Sequence, residues 1–490
     1  ILSSSFAMDQ GPTATANLFY TVHAPSNVAE KDPISINQSL PDTVRLEHFD
    51  VPATIEWIRK GGYTRVALQF PDALLGEAVP VSTDIEMALD GVQVFILADT
   101  SYRSCCVDEV AARHASCDAI VHYGDACLSA LTQKIPVRYV LGRFSVDEKA
   151  FASAIAAANL TADPLVLLTD SQYAYAVVTL AASTSAAIER PVDACPLAAT
   201  AYGEAVEGTG EGEKTSLGRI LPQGFTDREA VQLIFVGSQD SALLPLWLLT
   251  HPQCNRILHY DPASTPGECT VTEPSSWRGL RRRLFMVEKV RDANTIGLVV
   301  GTVAVAGHRE AVTRIRALAK SAGKKVYVIS VGKVNVAKLA NFSADVDTFV
   351  LLSCPFGVLL DTSSFDKPVV SLFEAEIALN DNKEWMAQAG WTSDYTQFVN
   401  DPTESVDRDT DDTPDVSLVS GRVRVRVREE EKEKKEGGGT VALWDAGNYF
   451  EARSWKGLDD SIATNDESEG STAILEGRKG RAAGYENEKR

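Results

Sequence analysis

The chain has 490 residues, of which 44% are hydrophobic, and its formal net charge is −20 at pH 7. This length exceeds what one hydrophobic core usually organises, so it predicts roughly three domains. Because surfaces that bind phosphate carry positive charge, the acidic balance argues against binding to DNA or other nucleic acid. No stretch reaches the ~20 consecutive apolar residues of a membrane helix, and the first residues lack the pattern of a signal peptide.

Residues 1–45 are polar and rich in Ser, Pro, Thr and Asn, which predicts a flexible leader. From there to residue 395, short β-branched apolar runs alternate with segments whose apolar residues recur at helical spacing. Such nearly continuous runs are typical of parallel strands covered on both faces. The pattern predicts an α/β fold with three similar domains at 46–150, 151–290 and 291–395, each a mostly parallel sheet flanked by helices.

The predicted strands are the apolar runs of these three domains. In chain order they are 65–70, 92–98, 119–123, 137–141, 165–169, 233–237, 256–260, 295–301, 325–331, 348–353 and 368–373. Beyond them, residues 396–490 include an acidic segment and a mixed charge run that ends in glycines. Segments of this composition bury too little apolar surface to fold alone, so a disordered or extended acidic tail is expected.

The chain contains eight cysteines, which are expected to be reduced thiols because no secretion signal is present. Three cysteine sites lie just beyond predicted strands: the adjacent pair Cys105 and Cys106, then Cys127, then Cys354. Ligands of α/β sheets bind beyond the carboxyl ends of the strands. The pair also precedes a predicted helix whose N-terminus favours thiolate. These three sites are therefore candidates for one common ligand-binding site.

Other interpretations of the cysteines remain open at this point. A free cysteine is most often a small buried core residue, although three such sites at strand ends are less expected by chance. A closed zinc site usually shows paired C-x-x-C spacing, which this chain lacks. A disulfide between Cys105 and Cys106 would be strained. No role is assigned to the other four, which are Cys117, Cys195, Cys254 and Cys269.

Longer segments around the strand-end cysteines closely resemble the family that makes the first intermediate of diphthamide. The matching segments are VALQFPD (66–72), ADTSYRSCCVDEVAARH (98–114), IVHYGDACLS (120–129), VEKVRDANTIGLVVGT (287–302), VGKVNVAKLANF (331–342) and CPFGVLLDTSSFDKPVVSLFEAEIALN (354–380). They extend over both ends of the predicted folded region. The contexts of the cysteine pair and of the last segment are similar to the subunit 2 branch of this family.

The resemblance implies a subunit of a heterodimeric transferase. In this family the enzyme transfers a 3-amino-3-carboxypropyl group from S-adenosylmethionine to a histidine of elongation factor 2. The resemblance implies a [4Fe–4S] cluster, a partner called subunit 1, a small electron-donor protein and a cytoplasmic location. It also agrees with the absence of the C-x3-C-x2-C motif of other radical enzymes that use S-adenosylmethionine.

The same resemblance implies which residues hold the cluster. Catalytic members of the family place one cluster cysteine in the middle domain, whereas this chain has none in a matching context there. The implied ligands are Cys106, Cys127 and Cys354, with Cys105 as the alternate to Cys106 because adjacent side chains of an extended chain point apart. No catalytic residue is assigned, and the cluster is expected to support reduction of the catalytic cluster in subunit 1.

Two alternatives to this role stay open. In the first, the chain is itself a catalytically competent subunit that cleaves S-adenosylmethionine. In the second, it is a scaffold without redox chemistry that stabilises its partner, and its cysteines are core residues.

Overall fold

The computed structural model describes residues 42–97, 103–129, 135–198, 214–273, 276–358, 365–380, 382–383, 385, 390–401, 415–417, 421 and 423–424. Every element described below belongs to one compact unit. The predicted leader lies outside the described residues up to residue 41, and so does the predicted tail from residue 425 onward.

The first sheet has four parallel strands in the order β2-β1-β3-β4. Its two central strands are almost wholly buried, as their continuous apolar runs require. A 3₁₀ helix follows β1 at Asp72–Glu77. The elements are α1 (Asp42–His48), α2 (Val51–Gly61), β1 (Arg65–Gln69), α3 (Ala78–Ala88), β2 (Gln93–Ile96), α4 (Glu109–His114), β3 (Ala119–Tyr123) and β4 (Val137–Val140).

The second sheet has five strands in the order β11-β10-β9-β5-β6, of which only β11 runs antiparallel to its neighbour. A separate two-stranded hairpin, β7 and β8, precedes β9 in the chain. The elements are α5 (Glu148–Ala157), β5 (Leu165–Thr169), α6 (Val177–Ile188), β6 (Val192–Ala194), β7 (Thr215–Ser216), β8 (Arg219–Ile220), β9 (Val231–Val236), α7 (Leu243–Thr250), β10 (Cys254–Tyr260) and β11 (Cys269–Thr272).

The third sheet again has four parallel strands, in the order β13-β12-β14-β15. This order repeats that of the first sheet, with the second strand in sequence at one edge. The elements are α8 (Ser276–Asp292), β12 (Thr295–Val300), α9 (His308–Ser321), β13 (Lys325–Ser330), α10 (Val336–Ala340), β14 (Thr348–Leu352), α11 (Pro355–Val358), β15 (Val369–Ser371) and α12 (Leu372–Leu379).

The predicted α/β class with mainly parallel sheets is confirmed, and each predicted strand is present. The sheets span 65–140, 165–272 and 295–371, which fall within the three predicted domains. The division into three domains stays a prediction because residues 1–426 form one compact unit. None of the helices among the described residues is long and apolar enough to span a membrane.

The folded part of the chain is longer at both ends than the sequence predicts. The helix α1 begins at Asp42, inside the predicted leader, and buried Arg45 forms an ion pair with Asp84 at 3.1 Å. Phe398, inside the predicted tail, is buried against the core. The short strands β16 (Asp415–Val416) and β17 (Val423–Arg424) then pair antiparallel. The amino-acid composition does not indicate that these residues fold, because a few apolar contacts anchor segments that are otherwise polar.

Candidate metal centre

Four cysteine thiols meet where loops beyond the first and third sheets come together. The sulfur atoms of Cys105, Cys106, Cys127 and Cys354 all lie within 4.8 Å of one another. The Sγ atoms of Cys105 and Cys354 are 3.7 Å apart, although 249 positions separate them in the chain. All four residues are buried, with exposed fractions between 1% and 7%. The fold thus brings together the three predicted strand-end sites.

Both members of the adjacent pair reach this group, which the sequence reasoning did not expect. The Cys106 N–H donates to the Arg103 carbonyl at 3.0 Å, so residues 103–106 form a tight turn. The expectation that only one of the two sulfurs could reach a shared site assumed an extended chain. In a turn that alternation is lost, and Cys105 and Cys106 reach the same site.

The side chain of Gln69 holds this turn against the first sheet. Gln69 ends strand β1 and is 2% exposed. Its amide nitrogen donates to the Cys106 carbonyl at 2.8 Å, and its amide oxygen accepts from the Asp108 N–H at 2.9 Å. Asp108 in turn caps α4 by accepting from the Ala111 N–H. Gln69 therefore links the sheet, the cysteine turn and the following helix.

Replacing Gln69 with leucine is expected to loosen the cysteine turn. The change leaves a buried carbonyl and a buried N–H without their partners, which destabilises the fold by roughly 2–4 kcal/mol. Loss of groups that support metal ligands typically lowers metal affinity about 10–100-fold. We expect faster release of bound metal to a chelator, together with a lower urea midpoint. The matched control is Gln223→Leu at an exposed position, and equal release rates in both variants would contradict the role of Gln69.

The second arm of the site follows strand β3. Gly124 has a φ of 87°, a conformation that glycine adopts readily, and it turns the chain back toward the cysteine pair. The Cys127 N–H donates to the Cys105 carbonyl at 3.2 Å. The Cys127 sulfur lies 3.2 Å from the Ser129 hydroxyl oxygen. These contacts fix the position of the Cys127 thiol relative to the pair.

The third arm follows strand β14 and is packed against the turn of the cysteine pair. The Gly357 N–H donates to the Cys354 carbonyl at 2.9 Å, at the short helix α11. A Cβ atom at Gly357 would lie 3.0 Å from Cδ of Arg103 and still closer to the Ser353 hydroxyl. Glycine is therefore needed for this close approach between the two loops.

The thiols of this group differ in pKa. Hydrogen bonds with Cys105, then Cys106 and Cys127, lower the pKa of Cys354 well below its ordinary value, and Arg103 adds to this effect. Hydrogen bonds with Cys106, Cys127 and Cys354 raise the pKa of Cys105 well above its ordinary value. One thiolate supported by neighbouring thiols is ready to bind a cation, and further protons leave as the metal binds.

The β7–β8 hairpin packs beside the second arm of the site and contributes no thiol. At the tip of the β7–β8 hairpin, Gly218 has a φ of 74°, and a Cβ atom there would lie 2.4 Å from Cβ of Leu128, next to Cys127. Leu217 packs against the core that contains the four cysteines. Buried Arg219 holds the hairpin through the carbonyls of Thr169 and Leu217. Sequence reasoning missed this hairpin because its strands have only two residues each.

The other cysteines of the second sheet lie apart from the cluster of thiols. Cys195 and Cys254 are buried, and burial raises the pKa of each to about 12. Neither belongs to the group of candidate metal ligands among the described residues. Cys117 is buried in the core of the first sheet.

A buried histidine supports the base of the hairpin and makes its stability sensitive to pH. His251 Nε2 lies 2.9 Å from the Ser216 hydroxyl oxygen, and the ring packs on Trp247 at 4.6 Å between centroids. Burial lowers the pKa of His251 from 6.5 to about 4. The unfolded chain therefore binds this proton more readily than the folded chain between pH 6.5 and 4.

We expect His251 to contribute a fall in the free energy of unfolding as the pH is lowered through this window. Proton uptake on unfolding gives this sign, and the shift at His251 corresponds to roughly 3 kcal/mol. Chemical denaturation between pH 6.5 and 4 should show a shallower decline for His251→Gln than for the unaltered chain. His114→Gln, at an exposed position, is the control and should keep the full slope. Identical slopes for all three proteins would contradict this assignment.

Two acidic residues in the last matching segment serve the fold and not the thiol site. Glu374 forms the capping box of α12 with Ser371 and accepts from the Trp391 indole at 2.8 Å. Glu376 is fully buried and accepts from Arg314 at 2.6 and 2.8 Å. Both carboxylates thus stabilise the packing of the helices next to strand β14.

The donor set fits a thiolate-bound metal group. Among the described residues, the group of candidate ligands consists of four thiols with no carboxylate or imidazole. Thiolates select iron–sulfur clusters and zinc over hard cations. A single tetrahedral zinc ion sets its sulfurs roughly 3.8 Å apart, close to the present spacing. A four-iron cluster holds its thiolates farther apart, so the loops have to spread to bind one.

The sequence matches a known family over most of its length. The model of the family described as putative diphthamide synthesis protein matches residues 70–390. A Caenorhabditis elegans protein called 2-(3-amino-3-carboxypropyl)histidine synthase subunit 2 is 45% identical, covering 95% of this chain and 98% of its own. Proteins of the same name from Gallus gallus and Schizosaccharomyces pombe are 34% and 31% identical over 91% and 96% of this chain and 93% and 97% of their own.

Solved structures share the fold. Two structures of Dph2 from Pyrococcus horikoshii, one of them described as containing a 4Fe–4S cluster, align with a TM-score of 0.51 at 20% identity. The alignment covers 69% of this chain and 92% of each archaeal chain. The resemblance seen in the sequence segments is thus confirmed, and the chain belongs to the diphthamide synthesis protein family.

Proposed function

We propose that this chain is the electron-transferring subunit of the enzyme complex that begins diphthamide biosynthesis. Its [4Fe–4S] cluster is held by Cys105, Cys106, Cys127 and Cys354. The observation that carries this proposal is the convergence of four buried thiols within 4.8 Å. The relatives named as subunit 2 and the archaeal structure described with a 4Fe–4S cluster support the choice of complex and cofactor.

The number of thiols favours electron transfer over catalysis by this chain. A bound [4Fe–4S] cluster supplies reversible one-electron chemistry. Four protein thiolates occupy all four iron sites, whereas cleavage of S-adenosylmethionine in this family needs one iron open to substrate. Gly218 of the β7–β8 hairpin packs against Leu128, next to Cys127, and Leu217 packs against the core that contains the thiols. A closed, buried ligand set is suited to passing electrons without reacting with substrate.

The group-transfer reaction is carried out by the whole complex. In this proposal a catalytic partner, subunit 1, transfers the 3-amino-3-carboxypropyl group from S-adenosylmethionine to a histidine of elongation factor 2. This chain receives electrons from a small donor protein and delivers them to the catalytic cluster of subunit 1. A cytoplasmic location is part of the same proposal.

A structural zinc site is the second candidate. It is favoured by the spacing of 3.7 Å between the sulfurs of Cys105 and Cys354, which is close to the sulfur–sulfur distance around one tetrahedral ion. In that case the chain is a scaffold that stabilises its partner and carries no electrons. Iron, zinc and acid-labile sulfide content after anaerobic purification separates the two candidates.

The functional test uses the complex with Cys354→Ser in this chain alone. Turnover driven by the protein electron donor should fall at least about tenfold, because loss of a ligand removes the cluster. Turnover driven by dithionite, which reduces the cluster of subunit 1 directly, should persist. Loss of both activities would show that this chain is catalytic, and retention of both would show a scaffold. Cys117→Ser, in the core of the first sheet, is the matched control.

A further inference from the structure

Arg103 begins the turn of the cysteine pair and extends to the loop of the third sheet. Its carbonyl accepts from the Cys106 N–H at 3.0 Å, so the turn that places the pair also fixes the backbone of Arg103. Its Cδ atom lies 3.0 Å from the position that a Cβ atom would take at Gly357. The Gly357 N–H in turn donates to the Cys354 carbonyl. The Arg103 side chain therefore lies between the two loops that supply Cys106 and Cys354.

The guanidinium group of Arg103 begins inside this contact. Its Nε atom, which is bonded to Cδ, is buried, while the residue as a whole is half-buried. A charge that is partly removed from water acts on its neighbours more strongly than a fully solvated charge. Hydrogen bonds with the other three thiols, followed by the charge of Arg103, lower the pKa of Cys354. The thiol site is therefore within reach of this cation.

Two carboxylates lie in the same surroundings. Asp125 belongs to the second arm of the site, and the Arg103 cation attracts it. Glu109, which is 3% exposed, begins α4 just after the cysteine turn. Burial, followed by the charges of three of the thiols and of Glu109, raises the pKa of Tyr139, so these groups lie near one tyrosine. The carboxylates add to the negative charge of bound thiolates, and Arg103 opposes it.

Negative surroundings make an iron–sulfur cluster harder to reduce. A [4Fe–4S] cluster held by four thiolates is an anion, and an added electron makes it more negative. A nearby cation stabilises the reduced form more than the oxidised form, because the attraction grows with the charge of the cluster. Net charge is one of the factors that set the reduction potential of such clusters. Arg103 therefore acts toward a higher potential.

We propose that Arg103 sets the reduction potential of the cluster and keeps it high enough to accept an electron from the donor protein. The donor is oxidised by one electron, the cluster is reduced by one electron, and no bond forms or breaks. This inference rests on the proposed electron transfer and names the residue that tunes it. Arginine suits this role because its guanidinium stays protonated in proteins, so its charge is constant.

The test is a redox titration of the full chain, purified anaerobically and followed by the electron paramagnetic resonance signal of the reduced cluster. Arg103→Met removes the charge. At a fixed potential, the ratio of reduced to oxidised cluster should fall at least about tenfold, a shift of about 59 mV for a one-electron couple. Arg103→Lys keeps the charge and should recover most of this shift. The matched control is Arg59→Met, at an exposed position on α2, and it should leave the potential unchanged.

Iron content is measured in every variant, and Arg103→Gln serves as a second neutral variant. An unchanged potential in a neutral variant that binds its full iron would overturn the proposal. A lowered potential that Arg103→Lys fails to restore would also overturn it, since contacts of the guanidinium and not its charge would then be responsible. Equal loss of iron in both neutral variants would do the same, because Arg103 would then hold the loops together. In each of these cases the proposed function stands, whereas an unaltered chain without a cluster would contradict both.

Discussion

Replacing Cys354 with serine is expected to lower the iron bound by the anaerobically purified chain at least about tenfold. The reason is that Cys354 is the thiol whose pKa the other three lower, and among the described residues it is the one ligand that follows a strand of the third sheet. Without it, the first sheet offers three thiols and no anchor from the opposite loop. The measurement is iron per chain, together with absorbance near ~400 nm from thiolate-bound iron.

The control for this result is Cys117→Ser. Cys117 is as buried as Cys105 but lies in the core of the first sheet, so its loss should leave the iron content unchanged. Equal iron in the two variants would contradict the assignment of Cys354. The single variants Cys105→Ser and Cys106→Ser extend the test, and loss of iron in both is expected if the cluster uses four thiols.

Replacing Glu376 with glutamine is expected to destabilise the fold by about 3–5 kcal/mol. Glu376 is fully buried and accepts two hydrogen bonds from Arg314, which is 6% exposed. It also accepts from Asn380 at 2.7 Å. Loss of the carboxylate charge removes the counter-charge that is hydrogen-bonded to a buried guanidinium, which is the costly outcome for a buried ion pair. Urea denaturation of the metal-free protein measures the effect directly.

Two controls define what the buried pair contributes. Glu56→Gln breaks an exposed ion pair with Arg59 on α2 and should change the free energy of unfolding by less than about 1 kcal/mol. The double variant Arg314→Met with Glu376→Leu replaces the pair by apolar groups and should recover much of the loss. A small effect of Glu376→Gln, comparable to Glu56→Gln, would contradict the structural role of this pair.

The sequence predicts the sheets well because their strands are nearly continuous apolar runs, which are typical of covered parallel sheets. It does not predict β6, β11 or the β7–β8 hairpin, since these strands are short and partly exposed. Their positions depend on contacts with distant residues. The hairpin is held by Arg219 and His251, whose partners are carbonyl and hydroxyl groups that no periodicity reveals.

The sequence predicts that the cysteines of the candidate site lie just after strands. The detailed positions of their side chains depend on tertiary structure. Topology places the thiols after β3 and β14 beyond the carboxyl ends of strands. These strands belong to different sheets, and the close approach of the two loops brings the thiols together. The turn at 103–106 brings both Cys105 and Cys106 to that site, and an extended chain would not. One feature of the sequence points to the role of Gln69, which is a polar residue at the end of a buried strand. Such a position indicates that the side chain forms a hydrogen bond with a loop.

The most direct measurement is a Mössbauer spectrum of the chain loaded with ⁵⁷Fe, taken with and without S-adenosylmethionine. Four irons held by four thiolates should give the signal of a [4Fe–4S] cluster, and adding S-adenosylmethionine should leave every iron unchanged. Absence of a cluster signal would contradict the proposed cofactor. A cluster in which one iron in four shifts on addition of S-adenosylmethionine would show an open site and contradict the electron-transfer role.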